Sequence, residues 1–296
     1  MDKFPSRERT VAAALEPRVS AIIVTRNAES SLDLCLRSVF AEPWIDDVVI
    51  VDHGNPPAAS ASLRAQQADR RDVKVVQAGA DLSYAAAANL GAERARGRWL
   101  MFLDPHVVMQ RGAAPRLAAA GASAPSPWII GGRLVDLEGR ERRAARAGAL
   151  NAWSAVAVAM DWPGPRPLPK PTGKQDEAQE PARVAAVSGA FMLIPRADFS
   201  ALGGFDADFA THGADLDLCR RAAEAGGAVL FQSAATGVQF LDASRKRRRK
   251  AQGLALFALK SARTPGQKAF ALVARPALAV LLALMDFVAG RPPTRR

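Results

Sequence analysis

Two side chains suited to metal binding follow an apolar run in the first half of the chain. The run is Trp99–Leu103, Asp104 comes directly after it, and His106 stands two residues further on. A carboxylate at a strand end, with a second ligand at i+2, can hold a divalent cation against a phosphorylated substrate. The Asp-Pro pair is equally typical of a simple turn after a strand. The local pattern alone leaves both interpretations open.

A second carboxylate follows a second apolar run. Asp52 ends the run that starts at Asp47, and residues 53–57 break it with glycine and two prolines. Ligands bind outside the carboxyl ends of the strands in open α/β sheets. Asp52 and Asp104 therefore predict a polar site for the ribose or base of a nucleotide and its metal-bound diphosphate. No Gly-x-Gly-x-x-Gly and no Walker loop follows the first strand, which disfavours a classical dinucleotide or P-loop site.

The elements that must position these carboxylates alternate regularly. Four apolar runs are predicted strands: Val19–Thr25, Asp47–Asp52, Val73–Val76 and Trp99–Leu103. Helices are predicted between them, over about 30–40, 58–68 and 83–95. This alternation predicts a Rossmann-like, doubly wound α/β sheet with helices on both faces. Further strands are predicted on a mixed side of the sheet, at 128–135, at 184–194 with a break at Ser188-Gly189, and at 228–232.

The length of the chain is compatible with one large domain or with one domain and an appendage. Hydrophobic residues make up 49% of the 296, enough for a core, and the net charge of +11 predicts an anionic partner. Cys35 and Cys219 lie in predicted helices without metal-ligand spacing, so we expect reduced core cysteines of a cytosolic protein. Residues 1–17 are polar and irregular, do not resemble a secretory signal peptide, and are predicted to be flexible.

The second half of the chain supplies another acidic candidate, Asp215. It lies near the start of a predicted helix over 212–221, where exposed backbone N–H groups favour an ionised carboxylate. A plain helix cap is the alternative. A buried stripe is predicted from three residues at helical spacing: Leu216, Cys219 and Ala223. Residues 163–181 are rich in proline and charge and are predicted to be a loop, either an insertion or a flap beside an acceptor site.

Several motifs, in order along about residues 19–240, resemble the family 2 glycosyltransferases of GT-A fold, specifically the bacterial rhamnosyltransferase-like branch. The matching segments are Thr25-Arg26-Asn27, Val49–Asn55, Ala85–Gly91, Phe102–Val107, Val187–Leu193, Gly203–Asp206 and Gly213–Cys219. The resemblance implies a glycosyltransferase domain over 18–240. It also implies inverting transfer of a sugar from a nucleotide-sugar donor to a cell-surface glycan or lipid-linked acceptor.

The resemblance also implies roles for single residues. The nucleotide-sugar-binding residues would be Thr25, Asp52, Asn89 and Asp104; the ligands of Mn²⁺ or Mg²⁺ would be Asp104 and His106; and the general base would be Asp215. Four departures from the family pattern surround this set: His106 for an acidic ligand, Ala214 for a Glu, Ala87-Ala88 for Gly-Asn, and Gln239 for a later His. They keep an alternative open, a non-catalytic GT-A-like binding or assembly module in polysaccharide synthesis.

Residues 241–296 are predicted to form a basic, amphipathic helical region. The run Arg245–Lys250 is basic, and the apolar stretch 269–289 has about the length of a membrane span but is interrupted by Arg275 and Pro276. We expect helices on a membrane surface, with the protein cytoplasmic and peripheral to the inner face of the plasma membrane. Packing onto the domain is the alternative. No nucleic-acid-binding motif accompanies the basic run, so no nucleic-acid partner is predicted.

Overall fold

The structure, a computed structural model, describes residues 19–26, 30–142, 145–147, 180–210, 212–240, 247–274 and 276. Some of the predictions concern residues outside these ranges. They are the tail 1–17, Asn27, residues 163–179 of the predicted loop, the first two residues of the basic run, and the apolar stretch beyond 276.

A mixed β-sheet forms the centre of the fold. The strands are β1 Val19–Thr25, β2 Ile45–His53, β3 Val73–Ala78, β4 Trp99–Leu103, β5 Val107–Met109, β6 Trp128–Val135, β7 Arg146–Ala147, β8 Ala182–Arg183, β9 Ala186–Val187, β10 Phe191–Pro195 and β11 Ala228–Gln239. The sheet order is β3-β2-β1-β4-β10-β6-β11-β5, with β8 beside β11 and with β7 and β9 paired separately. The first four strands in that order run parallel, and β10 is antiparallel to both its neighbours. The predicted Rossmann-like mixed sheet is confirmed.

Helices flank this sheet. They are α1 Ser30–Phe40, α2 Pro57–Asp69, α3 Tyr84–Arg94, α4 Ala113–Gly121, α5 Arg196–Ala201, α6 Ala214–Glu224 and α7 Arg247–Ser261. Helix α3 packs directly on β1 and β2, because a Cβ on Gly91 would lie 2.7 Å from Ile22 Cγ2 and 2.8 Å from Val51 Cγ2. Ala87 and Ala88 are fully buried at this contact. They therefore belong to the core.

The amino edge of the parallel strands is closed by a buried carboxylate. Asp47 accepts hydrogen bonds from Ser20 Oγ at 2.6 Å and Lys74 Nζ at 2.9 Å, and from the Arg96 backbone and side chain at 2.8 and 3.2 Å. Burial alone would raise the pKa of Asp47, but these hydrogen bonds and the Lys74 charge hold it below its ordinary value. Asp47 thus ties β1, β2, β3 and the loop before β4 together.

The buried face of helix α6 differs from the one predicted from the sequence. Cys219 is buried as expected, and burial raises the pKa of its thiol to about 12; Cys35 is buried too, which confirms both as core residues. Leu216 is only partly buried and Ala223 is exposed, so the stripe is wrong at two positions. The buried residues of α6 are Ala214, Asp217, Leu218, Cys219 and Ala222. Ion pairs from Arg220 and Arg221 allow Asp217 to face the interior.

The described part of the C-terminal region packs onto the domain. Helix α7 buries Leu254, Ala255, Phe257 and Ala258. Its Gly253 crosses the chain just before α6, where an added Cβ would lie 2.0 Å from the His212 carbonyl oxygen. Lys260 forms ion pairs with Asp206 and Asp208. Within the ranges that the structure describes, no helix combines the length and the hydropathy needed to cross a bilayer.

Candidate functional site

The carboxyl ends of β1 and β2 bring Thr25 and Asp52 side by side, as partners in the parallel register. Asp52 Oδ1 accepts from the Asn55 amide N–H at 3.1 Å and from Asn55 Nδ2 at 2.7 Å, and Oδ2 accepts from Gln77 Nε2 at 3.0 Å. Burial would raise the pKa of Asp52, but hydrogen bonds from Ser60, Asn55 and Gln77 hold it below its ordinary value. Asp52 is therefore an ionised acceptor at this edge.

Asp104 ends β4 at the same edge of the sheet. Its Oδ1 accepts from the His106 backbone N–H at 2.9 Å, and its carbonyl oxygen accepts from Val107 N–H at 2.9 Å. The predicted turn is thus real, and it leads into β5, a strand that the sequence analysis missed. In the described part of the chain no hydrogen bond reaches Asp104 Oδ2. The turn and the metal-ligand interpretations are compatible, because Oδ1 stabilises the turn and Oδ2 could bind a cation.

Asp104 and His106 could hold a divalent cation only if a substrate supplied further ligands. No group of three or more His, Cys, Asp or Glu side chains suited to a metal occurs among the described residues. His106 Nδ1 lies 2.7 Å from Ser31 Oγ. If Nδ1 carries the hydrogen and donates it to Ser31, the basic lone pair lies on Nε2. A carboxylate oxygen and an imidazole are a reasonable donor set for a cation whose remaining ligands are phosphate oxygens and water.

Asp215 lies in the first turn of α6 and faces another turn of the chain. Its Oδ2 accepts from Gly189 N–H at 3.0 Å and its Oδ1 accepts from Leu216 N–H at 2.9 Å. A Cβ on Gly189 would approach Asp215 Cβ to 3.3 Å, so the glycine permits this close contact. The carboxylate is thus held by two backbone N–H groups at the N-terminus of α6.

The turn Ser188–Ala190 joins the two candidate carboxylates. While Gly189 N–H binds Asp215, the next carbonyl oxygen, that of Ala190, accepts from Asp104 N–H at 2.9 Å. Both carboxylates also act on one phenol: burial raises the pKa of Tyr84, and Asp104 and Asp215 raise it further. The structure therefore connects Asp104 and Asp215 through one short turn. The sequence analysis missed Tyr84, although it begins a helix at the carboxyl edge of the sheet.

Asn89, the remaining predicted nucleotide-sugar-binding residue, contacts Phe205 and none of the other predicted site residues. Its Oδ1 accepts from Phe205 N–H at 2.9 Å and its Nδ2 donates to the Phe205 carbonyl oxygen at 2.7 Å. Asn89 also lines a cavity of about 1070 Å³ that extends to Arg98 and Arg196 and includes none of the other predicted site residues. Both ends of its amide thus hold the turn at Phe205 against α3.

Two of the departures from the family pattern also have defined positions. Ala214 is the buried first residue of α6, directly before Asp215. Gln239 ends β11 opposite Val107, and the next residue, Phe240, donates its N–H to the His106 carbonyl oxygen at 2.8 Å. Gln239 therefore adjoins the turn that carries Asp104 and His106, which is where the motif comparison expects a further ligand.

Solved structures define the class of this fold. The chain aligns with GalNAc-T7 with UDP, GalNAc and Mn²⁺ at TM-score 0.63 and 16% identity, over 94% of this chain and 58% of that one. The mannosyltransferase PcManGT from Pyrobaculum calidifontis, in complex with GDP-Man and Mn²⁺, gives 0.54 and 18% over 94% and 77%. S. aureus TarS 1-349 in complex with UDP-GlcNAc gives 0.52 and 12% over 88% and 72%. The fold is the GT-A fold of glycosyltransferases, as predicted.

Sequence comparison then places the chain in a family. The profile of Glycosyl transferase family 2 matches residues 20–203, more than half of the chain, and the protein belongs to this family. The O-antigen biosynthesis protein RfbC of Myxococcus xanthus is 25% identical over 206 residues. That alignment covers 68% of this chain and only 16% of RfbC. The family expected from the motifs is confirmed.

Proposed function

We propose that this protein is an inverting glycosyltransferase that moves a hexosyl or deoxyhexosyl group from a nucleotide-sugar donor to a cell-surface glycan or lipid-linked acceptor. The observation that carries the proposal is the connection of Asp104 and Asp215 through the Ser188–Ala190 turn, at the carboxyl edge of a GT-A sheet. One carboxylate suits a cation bound to a diphosphate, and the other suits removal of a proton. Departure of the diphosphate and deprotonation of the acceptor would then take place between Asp104 and Asp215.

The donor nucleoside would bind at Thr25 and Asp52. The ionised Asp52 carboxylate accepts hydrogen bonds, which suits a ribose hydroxyl or a base N–H. The solved neighbours carry UDP, UDP-GlcNAc or GDP-Man, which supports a uridine or guanosine diphosphate sugar among the donors to test first. Asn89 would act indirectly, by holding the Phe205 turn beside α3.

The diphosphate would bind at Asp104 and His106 together with Mn²⁺ or Mg²⁺. Two of the neighbours hold Mn²⁺, which supports a divalent cation here. Imidazole as a ligand favours Mn²⁺ over Mg²⁺. When bound, the cation offsets the negative charge of the departing nucleoside diphosphate.

Asp215 would accept the proton of the acceptor hydroxyl. The hydroxyl oxygen then forms a bond to the anomeric carbon, while the bond from that carbon to the diphosphate breaks and its electron pair leaves with the nucleoside diphosphate. Attack from the side opposite the leaving group inverts the anomeric configuration. The N–H groups of Gly189 and Leu216 keep the carboxylate oriented for this step. The O-antigen biosynthesis relative supports a polysaccharide or lipid-linked acceptor.

The proposal is tested by calorimetric titration of the purified protein with UDP-, GDP- and dTDP-sugars, with and without Mn²⁺. We expect one donor to bind, and to bind at least about tenfold more tightly with Mn²⁺, because Asp104 and His106 would hold the cation and it would offset the charge of the diphosphate. Circular dichroism of the same sample shows that the protein is folded. If folded protein binds none of the donors, the proposal fails, and the non-catalytic GT-A-like module is the better interpretation.

A membrane surface is the proposed location of the reaction, on the cytoplasmic side. Helix α7 begins within the basic run at Arg247, and the helical residues 265–274 that follow it expose Leu272 and Val273, which are 60% and 69% accessible. Apolar and basic groups together bind anionic bilayers by partial insertion and by electrostatic attraction.

Vesicle flotation tests this location. We expect the full-length protein to bind vesicles that contain anionic phospholipid, and to bind pure phosphatidylcholine vesicles weakly, because the attraction depends on charge. The double variant Leu272→Ser/Val273→Ser should bind several-fold less, since it removes two apolar contacts of about 1.5–3 kcal/mol each at most. Leu137→Ser, an exposed leucine in a distant turn, is the matched control. Equal binding of all variants to both vesicle types would contradict the proposal.

A further inference from the structure

A cavity lies at the amino edge of the parallel strands, opposite the candidate site. Arg98 comes directly before β4 and Asp104 directly after it, so the two residues stand at opposite ends of one strand, about 20 Å apart at about 3.3 Å per residue. Arg98 and Arg196 line this cavity, which has a volume of about 1070 Å³. Its lining includes neither the proposed cation ligands nor the proposed general base, so the cavity is separate from the proposed reaction centre.

Two arginines of this cavity lie directly opposite each other. Arg98 and Arg196 extend the antiparallel pairing of β4 with β10 by one residue, because Pro195 is opposite Trp99 and the Arg196 N–H donates to the Arg98 carbonyl oxygen at 2.9 Å. Side chains of directly opposite residues project from the same face of a sheet, and like charges in this arrangement are destabilising. The fold thus places two guanidinium groups where each repels the other.

Within the described ranges, no carboxylate forms an ion pair with Arg98 or Arg196. The Arg98 guanidinium carbon lies 5.0 Å from the centre of the Trp99 ring, and Arg196 Nη1 donates to the Ala95 carbonyl oxygen at 3.3 Å. Neither contact brings a negative charge to the guanidinium group. Arg96, a third arginine of the cavity, differs because it is paired with a buried carboxylate. Arg98 and Arg196 therefore offer two charges that an anionic ligand can neutralise.

The lining of the cavity also contains hydrogen-bond acceptors. Glu93 and Ser200 line it, and both residues are exposed. A matching ligand carries an anionic group for the arginines and hydroxyl groups for Glu93 and Ser200. A dense polyanion such as nucleic acid would be repelled by Glu93, and a single inorganic anion would fill little of the volume. An acidic oligosaccharide combines separated negative charges with many hydroxyl groups, and it fits this lining best.

We propose that the amino-edge cavity is a binding site for an acidic oligosaccharide. A sugar carboxylate binds Arg98 and Arg196, and sugar hydroxyls bind Glu93 and Ser200. Arginine pairs with carboxylates through two parallel hydrogen bonds, which orient the ligand as well as attract it. The bound carboxylate also offsets the repulsion between the two arginines. This site goes beyond the proposed transfer reaction and does not depend on it, because it holds a glycan at the edge of the sheet away from the reacting groups.

Calorimetric titration with two uronate trisaccharides, trigalacturonate and trimannuronate, tests this site in the absence of donor and Mn²⁺. We expect at least one of them to bind, and its uncharged methyl ester to bind at least about tenfold more weakly, because hydrogen bonds to charged groups are the stronger ones. The double variant Arg98→Gln/Arg196→Gln should lose about tenfold or more in uronate affinity and keep the circular dichroism of the wild type, since both side chains are exposed. Folded wild type that binds neither uronate, or that binds the ester equally well, would overturn the proposal.

Two comparisons separate this site from general attraction of anions to a basic protein. The double variant Arg111→Gln/Arg116→Gln removes the same charge from exposed positions at α4 and should keep uronate affinity within about twofold. An equal loss in both double variants would contradict the proposal, because net charge would then explain the binding. Tripolyphosphate should bind more weakly than the uronate; tighter binding that depends on Arg98 and Arg196 would identify a phosphate site instead. Since no donor is present, these results stand even if the proposed transferase function fails.

Discussion

Asp215→Asn is expected to lower the rate of sugar transfer by about 10²–10⁴-fold, the contribution typical of a general base. The amide cannot accept the proton of the acceptor hydroxyl, but its size and its carbonyl oxygen are retained. That oxygen can still accept one of the hydrogen bonds from Gly189 or Leu216. The measurement is release of nucleoside diphosphate at saturating donor and acceptor, with donor affinity measured in parallel and expected to change by less than about threefold.

A matched control lies in the same helix. Glu224 ends α6, is partly exposed, and pairs with Arg220 and Arg263, away from both candidate carboxylates. Glu224→Gln should leave transfer within about twofold, because exposed ion pairs contribute little. The assigned mechanism is wrong if Asp215→Asn turns over at the wild-type rate, or if Glu224→Gln is as defective as Asp215→Asn.

The sequence predicted the parallel half of the sheet closely. The observed bounds of β1 and β4 match the predicted ones, Val19–Thr25 and Trp99–Leu103. These strands are buried on both faces, so their near-continuous apolar runs contrast sharply with the polar loops around them. The carboxylates that follow such strands must lie at one edge. Strand direction thus predicts that Thr25, Asp52 and Asp104 lie at this edge, whereas the pairing of Thr25 with Asp52 depends on strand order and register.

The antiparallel half could not be derived in the same way. The stretch 184–194 was predicted as a strand with a break at Ser188-Gly189, and it forms β9, the turn Ser188–Ala190 and β10, a separation that the break alone did not establish. The last strand was predicted to end at 232 and continues to Gln239, past an irregularity in its pairing with β6. Both outcomes depend on neighbours that are distant in sequence. A glycine at position 189 is compatible with a strand or a turn. Only the close contact with Asp215, which is visible in the structure, explains why a glycine suits this position.

Single side chains of the site show the same limit. Motif position suggested a donor contact for Asn89, but its amide is used by Phe205, which is 116 residues away in sequence. Asp217 carries no pattern that predicts burial, yet two arginines of the same helix pair with it in the interior. Tyr84 had no signal of its own, because only the fold brings the start of α3 against Ala210.

Asp104→Asn is the second substitution with a large expected effect. The asparagine Oδ1 can still accept the His106 backbone N–H, so the turn into β5 should survive. What is lost is the negative charge beside Oδ2, where the cation would bind. Removing a neighbour of a metal ligand typically weakens metal affinity 10–100-fold, so loss of the ligand charge itself should cost about 100-fold or more. The measurement is donor affinity in a Mn²⁺ titration.

The control for this variant is another aspartate that organises a turn. Asp136 Oδ1 accepts the backbone N–H groups of Glu138 and Arg140 in an exposed loop after β6. Asp136→Asn repeats the chemical change without touching the strand-end site, and should leave Mn²⁺-dependent donor binding within about twofold. Thermal unfolding of both variants checks that neither turn has collapsed. Donor binding by Asp104→Asn with the Mn²⁺ dependence of the wild type would show that the cation is held elsewhere. His106 would then not be a metal ligand either, because its backbone N–H binds Asp104 and its ring lies in the same turn.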